Sequence, residues 1–251
     1  RQGVTGWPSW KQLRGQEHPI VRAHKKSNTF SRVFLGQHEK TKPFNTKAIF
    51  FDANNSNATY LDISSTREIF TKEESISVFA WIKHGTTSDA QSHTLLGVNT
   101  SAGGNRVDFS IKGTNSSAFV APGVLAFYQT PTYSWQKSSF TRIDDNEWHH
   151  VGFVYQKVTN EKATIEMYLD GVSQGPKFTI HPLDTILADT DLISIGQEFD
   201  SSTPTDFWRG HIADFAIWDK SLSDNEVLKL VEHVNVPYRE LGPTQLTNHP
   251  A

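Results

Sequence analysis

Three carboxylates lie close together in the turn-rich segment IGQEFDSSTPTDFWRG, which covers residues 195–210. In an extended chain the side chains of Glu198 and Asp200 point to the same face, with Cα atoms about 7 Å apart. Two carboxylates at that separation can converge on one hard cation such as calcium. Asp206 would be a third ligand from the same segment. Two other interpretations stay open, because these acids could be solvated loop residues or could pair with Arg209.

Other kinds of reactive site find little support in the sequence. The chain has no cysteine, which excludes a disulfide framework, a thiolate metal site and a cysteine nucleophile. The pair His149-His150 cannot chelate one ion from a strand, because successive side chains point to opposite faces, and we interpret both as structural. No Gly-x-Ser-x-Gly, His-Glu-x-x-His or phosphate-binding glycine loop occurs. We therefore predict no catalytic and no cofactor-binding residues.

Charge is unevenly distributed along the chain. Residues 1–47 hold ten Lys/Arg and two acids, a net of +8, and the remaining residues hold fourteen Lys/Arg and twenty-five acids, a net of −11. An acidic body is unsuited to nucleic acid and suited to cations. No base-reading motif accompanies the basic segment, so we predict no nucleic-acid partner. No run of 18 apolar residues is present, so we predict no transmembrane segment in this chain.

Short runs of strand-forming residues follow one another through most of the sequence, separated by Gly, Asn, Ser and Asp clusters. Many short strands separated by turn-forming clusters predict a sandwich or barrel built from one large domain. The candidates are 48–51, 59–63, 75–83, 93–98, 106–111, 124–129, 147–156, 163–171, 192–196 and 210–218.

Two of the elements can be predicted in more detail. In ISVFAWIK, residues 76–83, both alternating sets are apolar, so this strand should lie in the middle of a sheet with both faces covered. Ser223 and Glu226 form a capping box before an apolar stripe, which predicts one C-terminal helix. The predicted organisation is a basic segment at 1–44, one domain at 45–234 and a linker at 235–251.

The order of four blocks resembles pentraxin-like and laminin-G-like domains of the concanavalin A-like superfamily. The blocks are DDNEWHHVGFVYQ, ATIEMYLDGVSQG, LISIGQEFDS and GHIADFAIWDKSLSDNEV, preceded by KAIFFDANNSNATYLDI and ISVFAWIK. The resemblance implies an all-β, two-sheet antiparallel jelly-roll sandwich that binds a partner and has no enzymatic activity. Pentraxins usually carry an inter-sheet disulfide, and Phe79 and Gly152 occupy the paired positions here.

The same resemblance implies a calcium site. The pentraxin ligand pattern corresponds to Glu198, Asp200, Asp206 and Asn105, with Phe199 contributing its backbone carbonyl. One pentraxin carboxylate is replaced by Gly104, so we expect low affinity, about 10⁻⁴–10⁻³ M.

Two further functions are weighed from the superfamily. Its glycosidases carry Glu-x-Asp-x-x-Glu, but the second Glu is Thr203 here, which cannot supply the required proton at neutral pH. A lectin-like site would stack sugars on exposed aromatics, and the candidates are Tyr133, Trp135 and Trp208.

The setting in which the protein works is predicted from its sequons. Four acceptor sequons, at Asn54, Asn57, Asn99 and Asn115, favour a secreted or cell-surface glycoprotein. We expect an extracellular interaction or adhesion module that binds a protein or glycan, within a large receptor ectodomain. The sequence does not indicate its oligomeric state.

Overall fold

Two antiparallel sheets account for most of the chain in a computed structural model that describes residues 48–52, 59–100, 104–114, 121–130, 134–137, 142–200 and 203–235. The larger sheet has the order β1 (Ile49–Phe51), β15 (Gly210–Trp218), β3 (Ser75–His84), β8 (Trp148–Lys157), β9 (Ala163–Leu169) and β10 (Val172–Ser173), and β11 (Phe178–Ile180) also pairs with β9. The smaller sheet has the order β2 (Leu61–Asp62), β12 (Leu192–Ile195), β4 (His93–Asn99), β5 (Asn105–Ile111), β6 (Leu125–Gln129) and β7 (Ser134–Lys137).

The remaining elements are short. A hairpin consists of β13 (Glu198–Asp200) and β14 (Thr203–Thr205), and a 3₁₀ turn (Ser64–Thr66) leads into α1 (Arg67–Lys72). Helix α2 (Leu183–Ile186) precedes β12, and α3 (Asp224–Asn235) follows β15. Each of the ten predicted strands overlaps an observed strand, and the predicted sandwich with a C-terminal helix is confirmed. Strands β7, β10, β11, β13 and β14 and the two short helices were not predicted.

The core lies between the inner faces of the two sheets. Phe153 of β8 meets Phe109 of β5 and Phe127 of β6 edge to face, at ring-centroid distances of 5.2 and 5.3 Å. Such pairs add roughly 0.5–1.5 kcal/mol beyond the apolar area they bury. These contacts hold the two sheets together.

Strand β3 is central, as its sequence predicts. It pairs with β15 on one side and β8 on the other, and every side chain from Ile76 to Ile82 is buried. Ile76, Val78, Ala80 and Ile82 enter the inter-sheet core. Phe79 instead packs on the outer face with Tyr168, Trp218 and Val227, and Val227 belongs to α3. The helix therefore covers part of the outer face of the seven-stranded sheet.

The capping box of α3 is also confirmed. The backbone N–H of Ser223 donates to Glu226 Oε2 at 2.9 Å, and the N–H of Glu226 donates weakly to Ser223 Oγ at 3.4 Å. The Tyr168 hydroxyl on β9 donates to Asp224 Oδ1 at 2.6 Å. This bond joins the first turn of α3 to the sheet below it.

Phe79 and Gly152 are direct register partners on the neighbouring strands β3 and β8. The expected inter-sheet relationship of these two positions is therefore wrong, because both lie within one sheet. A Cβ atom on Gly152 would lie 2.2 Å from Phe79 Cδ1 and 2.3 Å from the carbonyl oxygen of Val78. The missing side chain of Gly152 is what makes room for the Phe79 ring.

His149 and His150 point in opposite directions, as predicted. His150 is buried and stacks on Phe79 at 5.3 Å, and burial lowers its pKa to about 4. His149 lies at the end of the sandwich between two carboxylates, with Nδ1 2.9 Å from Asp170 Oδ2 and Nε2 3.2 Å from Asp145 Oδ1. These contacts tie the loop before β8 to the turn after β9.

We expect His149 to make stability depend on pH. Its pKa is raised above 6.5, chiefly by the hydrogen bond to Asp170. A raised pKa contributes stability that is fully present below the unfolded pKa and is lost as pH rises through the folded pKa. Urea unfolding between about pH 5.5 and 8.5 should therefore show a steeper loss of stability with pH in the wild type than in His149→Gln. Equal slopes for the two proteins would contradict this role.

Candidate functional site

The β13–β14 hairpin, which carries the predicted ligands, folds onto the outer face of the six-stranded sheet. A Cβ atom on Gly97 of β4 would lie 2.5 Å from the carbonyl oxygen of Gln197 and 3.2 Å from the Cα atom of Glu198. Two residues along β4, Asn99 Nδ2 donates to the carbonyl oxygen of Phe199 at 3.2 Å. A glycine and an amide on β4 therefore fix the hairpin close to the sheet.

Asp108 lies beneath this hairpin and was not singled out from the sequence. It is the register partner of Gly97 and is fully buried. Its carboxylate accepts hydrogen bonds from Thr94 Oγ1 and Ser110 Oγ, each at 3.0 Å. The signal was present in RVDFSIK, residues 106–112, where Asp108, Ser110 and Lys112 alternate with core residues. Such alternation normally indicates that the polar residues face solvent. Here the hairpin covers that face and buries them.

Lys112 supplies positive charge to the same place. Its side chain is only 7% exposed, and Nζ donates to Ser92 Oγ. Burial lowers the pKa of Lys112, and the negative charges of Asp108, Asp206 and Glu198 oppose that shift. The lysine is therefore the internal counter-ion of a buried acidic cluster, which we define as Asp108, Glu198, Asp206 and the more exposed Asp200.

The carboxylates of this cluster shift one another's pKa. Burial, followed by the charges of Asp108, Asp206 and Asp200, raises the pKa of Glu198 to about 10. Burial and the charge of Asp108 raise the pKa of Asp206 to about 7, although a hydrogen bond with Glu198 opposes the rise. Protonated Glu198 can donate to the Asp206 carboxylate. The cluster thus holds more acidic groups than its single lysine can neutralise.

The predicted ligands meet only in part. Glu198, Asp200 and Asp206 do lie in one cluster, and Glu198 Oε2 is buried with no hydrogen-bond partner among the described residues. The Phe199 carbonyl, however, already accepts a bond from Asn99, and Asp200 Oδ2 accepts one from Thr205 at 3.2 Å. The side chain of Asn105 lies outside the described part of the structure.

The cluster offers charge for a cation without a closed coordination set. Across the described ranges, no three His, Cys, Asp or Glu side chains are arranged to hold a metal ion. Lys112 also neutralises part of the charge that would attract one. Calcium at this position therefore stays a prediction. The alternative pairing with Arg209 is wrong, because Arg209 Nη1 bonds Asp89 Oδ2 at 2.6 Å.

Two further predictions need correction. Trp208 was expected to be an exposed stacking residue, but it is 1% exposed and packs edge-on against His84 at 5.0 Å, within the core. Asn99 was expected to be a glycosylation site, but its buried amide bonds the hairpin and has no room for a glycan. Asn54, Asn57, Asn115 and Tyr133 and the side chain of Trp135 lie outside the described residues.

Comparison with known proteins agrees with this architecture. The family model Laminin_G_3, described as the concanavalin A-like lectin/glucanases superfamily, matches residues 55–228. The chain belongs to this superfamily. No curated protein sequence matches it.

Several solved structures share the concanavalin A-like fold. The CBM40 of Ruminococcus gnavus IT-sialidase bound to α2,3-sialyllactose is 14% identical over 73% of this chain and 96% of that one, with a TM-score of 0.53. Its complex with α2,6-sialyllactose gives 15% identity with the same coverage and TM-score. A heptameric SAP-like pentraxin from Limulus polyphemus is 19% identical over 63% of this chain and 70% of that one, with a TM-score of 0.44. At these identities the likeness shows the fold alone.

No helix in the described part of the chain is both long enough and apolar enough to cross a membrane.

Proposed function

We propose that the chain is a non-catalytic, extracellular interaction module that binds a protein or glycan partner, in the manner of an adhesion-receptor domain. The burial of Glu198 carries this proposal. Glu198 is the residue that would act as a glycosidase nucleophile, yet it is only 4% exposed, because it lies in β13 of the hairpin that packs onto the six-stranded sheet at Gly97. A sugar cannot reach a carboxylate in that position, and Thr203 stands where the second acid would be needed.

A lectin-like module is the second candidate. The CBM40 neighbours, solved with sialyllactose, support a sugar as one kind of partner. A glycan array and a panel of extracellular proteins would distinguish the two partner classes, and a polysaccharide hydrolysis panel would test for catalysis. Release of reducing sugar by the wild type, lost in Glu198→Gln, would overturn the non-catalytic assignment.

We further propose that calcium binds the hairpin only weakly, because Lys112 competes for the same carboxylates. At ten times a Kd of about 10⁻⁴ M, a ligand of the folded state stabilises it by roughly 1.4 kcal/mol. Calcium should therefore raise the melting temperature by a few degrees relative to EDTA, and Asp200→Asn should abolish the shift. Magnesium is the matched control, and its smaller octahedral shell should make its effect smaller. Equal melting of the wild type in calcium and EDTA would remove calcium from the proposal.

A further inference from the structure

A cross-strand row of four side chains lies on the outer face of the seven-stranded sheet. Phe50 on β1 pairs with His211 on β15, His211 pairs with Lys83 on β3, and Lys83 pairs with Trp148 on β8. Lys83 is four residues beyond Phe79, which lies beneath α3, and alternation along β3 places both on the same face. The row is therefore a separate surface from the acidic cluster, which lies on the other sheet.

The aromatic members of the row are close together. The ring centroid of His211 lies 4.9 Å from that of Phe50 and 6.1 Å from that of Trp148. Phe50 is 59% exposed, and the other three residues are half-buried. Burial, together with the charge of Lys83, lowers the pKa of His211, which favours the uncharged form of its ring. Three uncharged rings thus form one platform.

Lys83 adds a positive charge to this platform. Among the described residues no carboxylate lies within ion-pair distance of its ammonium group. An aromatic platform beside a cation that has no carboxylate partner among the described residues is complementary to a ligand that has both an apolar face and a negative charge. The row crosses three strand spacings, about 14 Å in all. A stable protein interface needs about 800 Å² on each partner, far more than four side chains supply, so the surface fits a small, elongated ligand better than a protein.

We propose that this row binds an acidic oligosaccharide. The C–H faces of its sugars stack on Phe50, His211 and Trp148, and a sugar carboxylate pairs with Lys83. The inference rests on the proposed glycan-binding function and assigns it to the sheet opposite the one that carries the acidic cluster.

The test measures binding of the full chain to a non-sulfated hexasaccharide that alternates uronic acid and N-acetylhexosamine. Its carboxyl-reduced form, in which each carboxylate is an alcohol, is the matched neutral probe. Trp148→Ala and Phe50→Ala should each weaken binding about fivefold to tenfold. Lys83→Met keeps the apolar stem, and it should remove the roughly threefold preference for the acidic over the reduced probe. Lys83→Arg should retain that preference.

Val172→Ala is the control for loss of an exposed apolar side chain, because Val172 is 60% exposed and lies on β10, away from the row. It should bind like the wild type, and all variants should melt cooperatively. If the acidic probe binds Trp148→Ala and Lys83→Met as tightly as the wild type, the row is not the site, although glycan binding itself stands. If neither probe binds the wild type and an array detects no other glycan, both this inference and the glycan partner are overturned. A protein ligand that displaces the acidic probe from the wild type, and that binds the row variants more weakly, would support the row as a binding surface.

Discussion

Lys112→Met should lower the free energy of unfolding by about 3 kcal/mol at neutral pH, because it leaves buried carboxylates without their internal cation. The apolar stem of Met retains most of the packing, so the loss reports mainly the missing charge. Chemical denaturation of the two proteins in EDTA measures the difference. In the variant, calcium no longer competes with an ammonium group, so its stabilising effect should exceed that in the wild type.

A second variant separates charge from packing. Asp108→Asn combined with Lys112→Met removes the lysine together with the most buried carboxylate of the cluster and keeps an oxygen that can accept the Thr94 hydrogen bond. Replacing both partners of a buried pair is often close to neutral, so the double variant should recover most of the lost stability. If Lys112→Met alone has the same free energy of unfolding as the wild type, Lys112 is not the counter-ion of the cluster.

Gly152→Ala should destabilise the domain by about 3 kcal/mol, near the upper end for overpacking. The added Cβ would lie 2.2 Å from the Phe79 ring and 2.3 Å from a β3 carbonyl oxygen, and neither can move without disturbing the central strands. Thermal melting monitored by circular dichroism would measure the change.

The partner substitution gives the control for this variant. Phe79→Leu removes the ring atoms that the new methyl group would meet, so adding Gly152→Ala should cost less in that background than in the wild type. The rescue should be incomplete, because the carbonyl contact remains. If Gly152→Ala has the same melting temperature as the wild type, the two strands separate easily at this position.

The sequence predicts the sheets well because their strands carry strong local signals. Residues 210–218 form β15 as predicted, since apolar residues are bounded by a glycine at one end and polar residues at the other. The capping box likewise fixes the start of α3. Strand β14 has no such signal, because Thr203-Pro204-Thr205 reads as a turn. It pairs with β13, and the hairpin that the two strands form packs onto the sheet at Gly97, which is a tertiary contact.

The site was harder to predict because it depends on what covers each residue. The segment 195–210 correctly located three of the acids. Asp108 and Lys112 look like exposed residues in a strand until the hairpin is placed above them. Trp208 looks like an exposed loop aromatic, yet the segment turns inward and the indole enters the core. Burial of this kind comes from contacts between distant segments, which local patterns do not encode.

The pairing of β1 with β15 has a mechanical consequence. The two strands are antiparallel, so the backbone enters β1 at Ile49 and leaves β15 at Trp218 on the same side of the sheet. A pulling force applied at these two points would break the hydrogen bonds between β1 and β15 one pair after another, instead of shearing all of them at once. Among the described residues β1 makes three pairs with β15, at Ile49, Phe50 and Phe51, and the chain has no cysteine to form a covalent link, so β1 would detach first under tension. At low force the domain would therefore lose only its edge strand β1, while the rest of the two sheets stayed packed together.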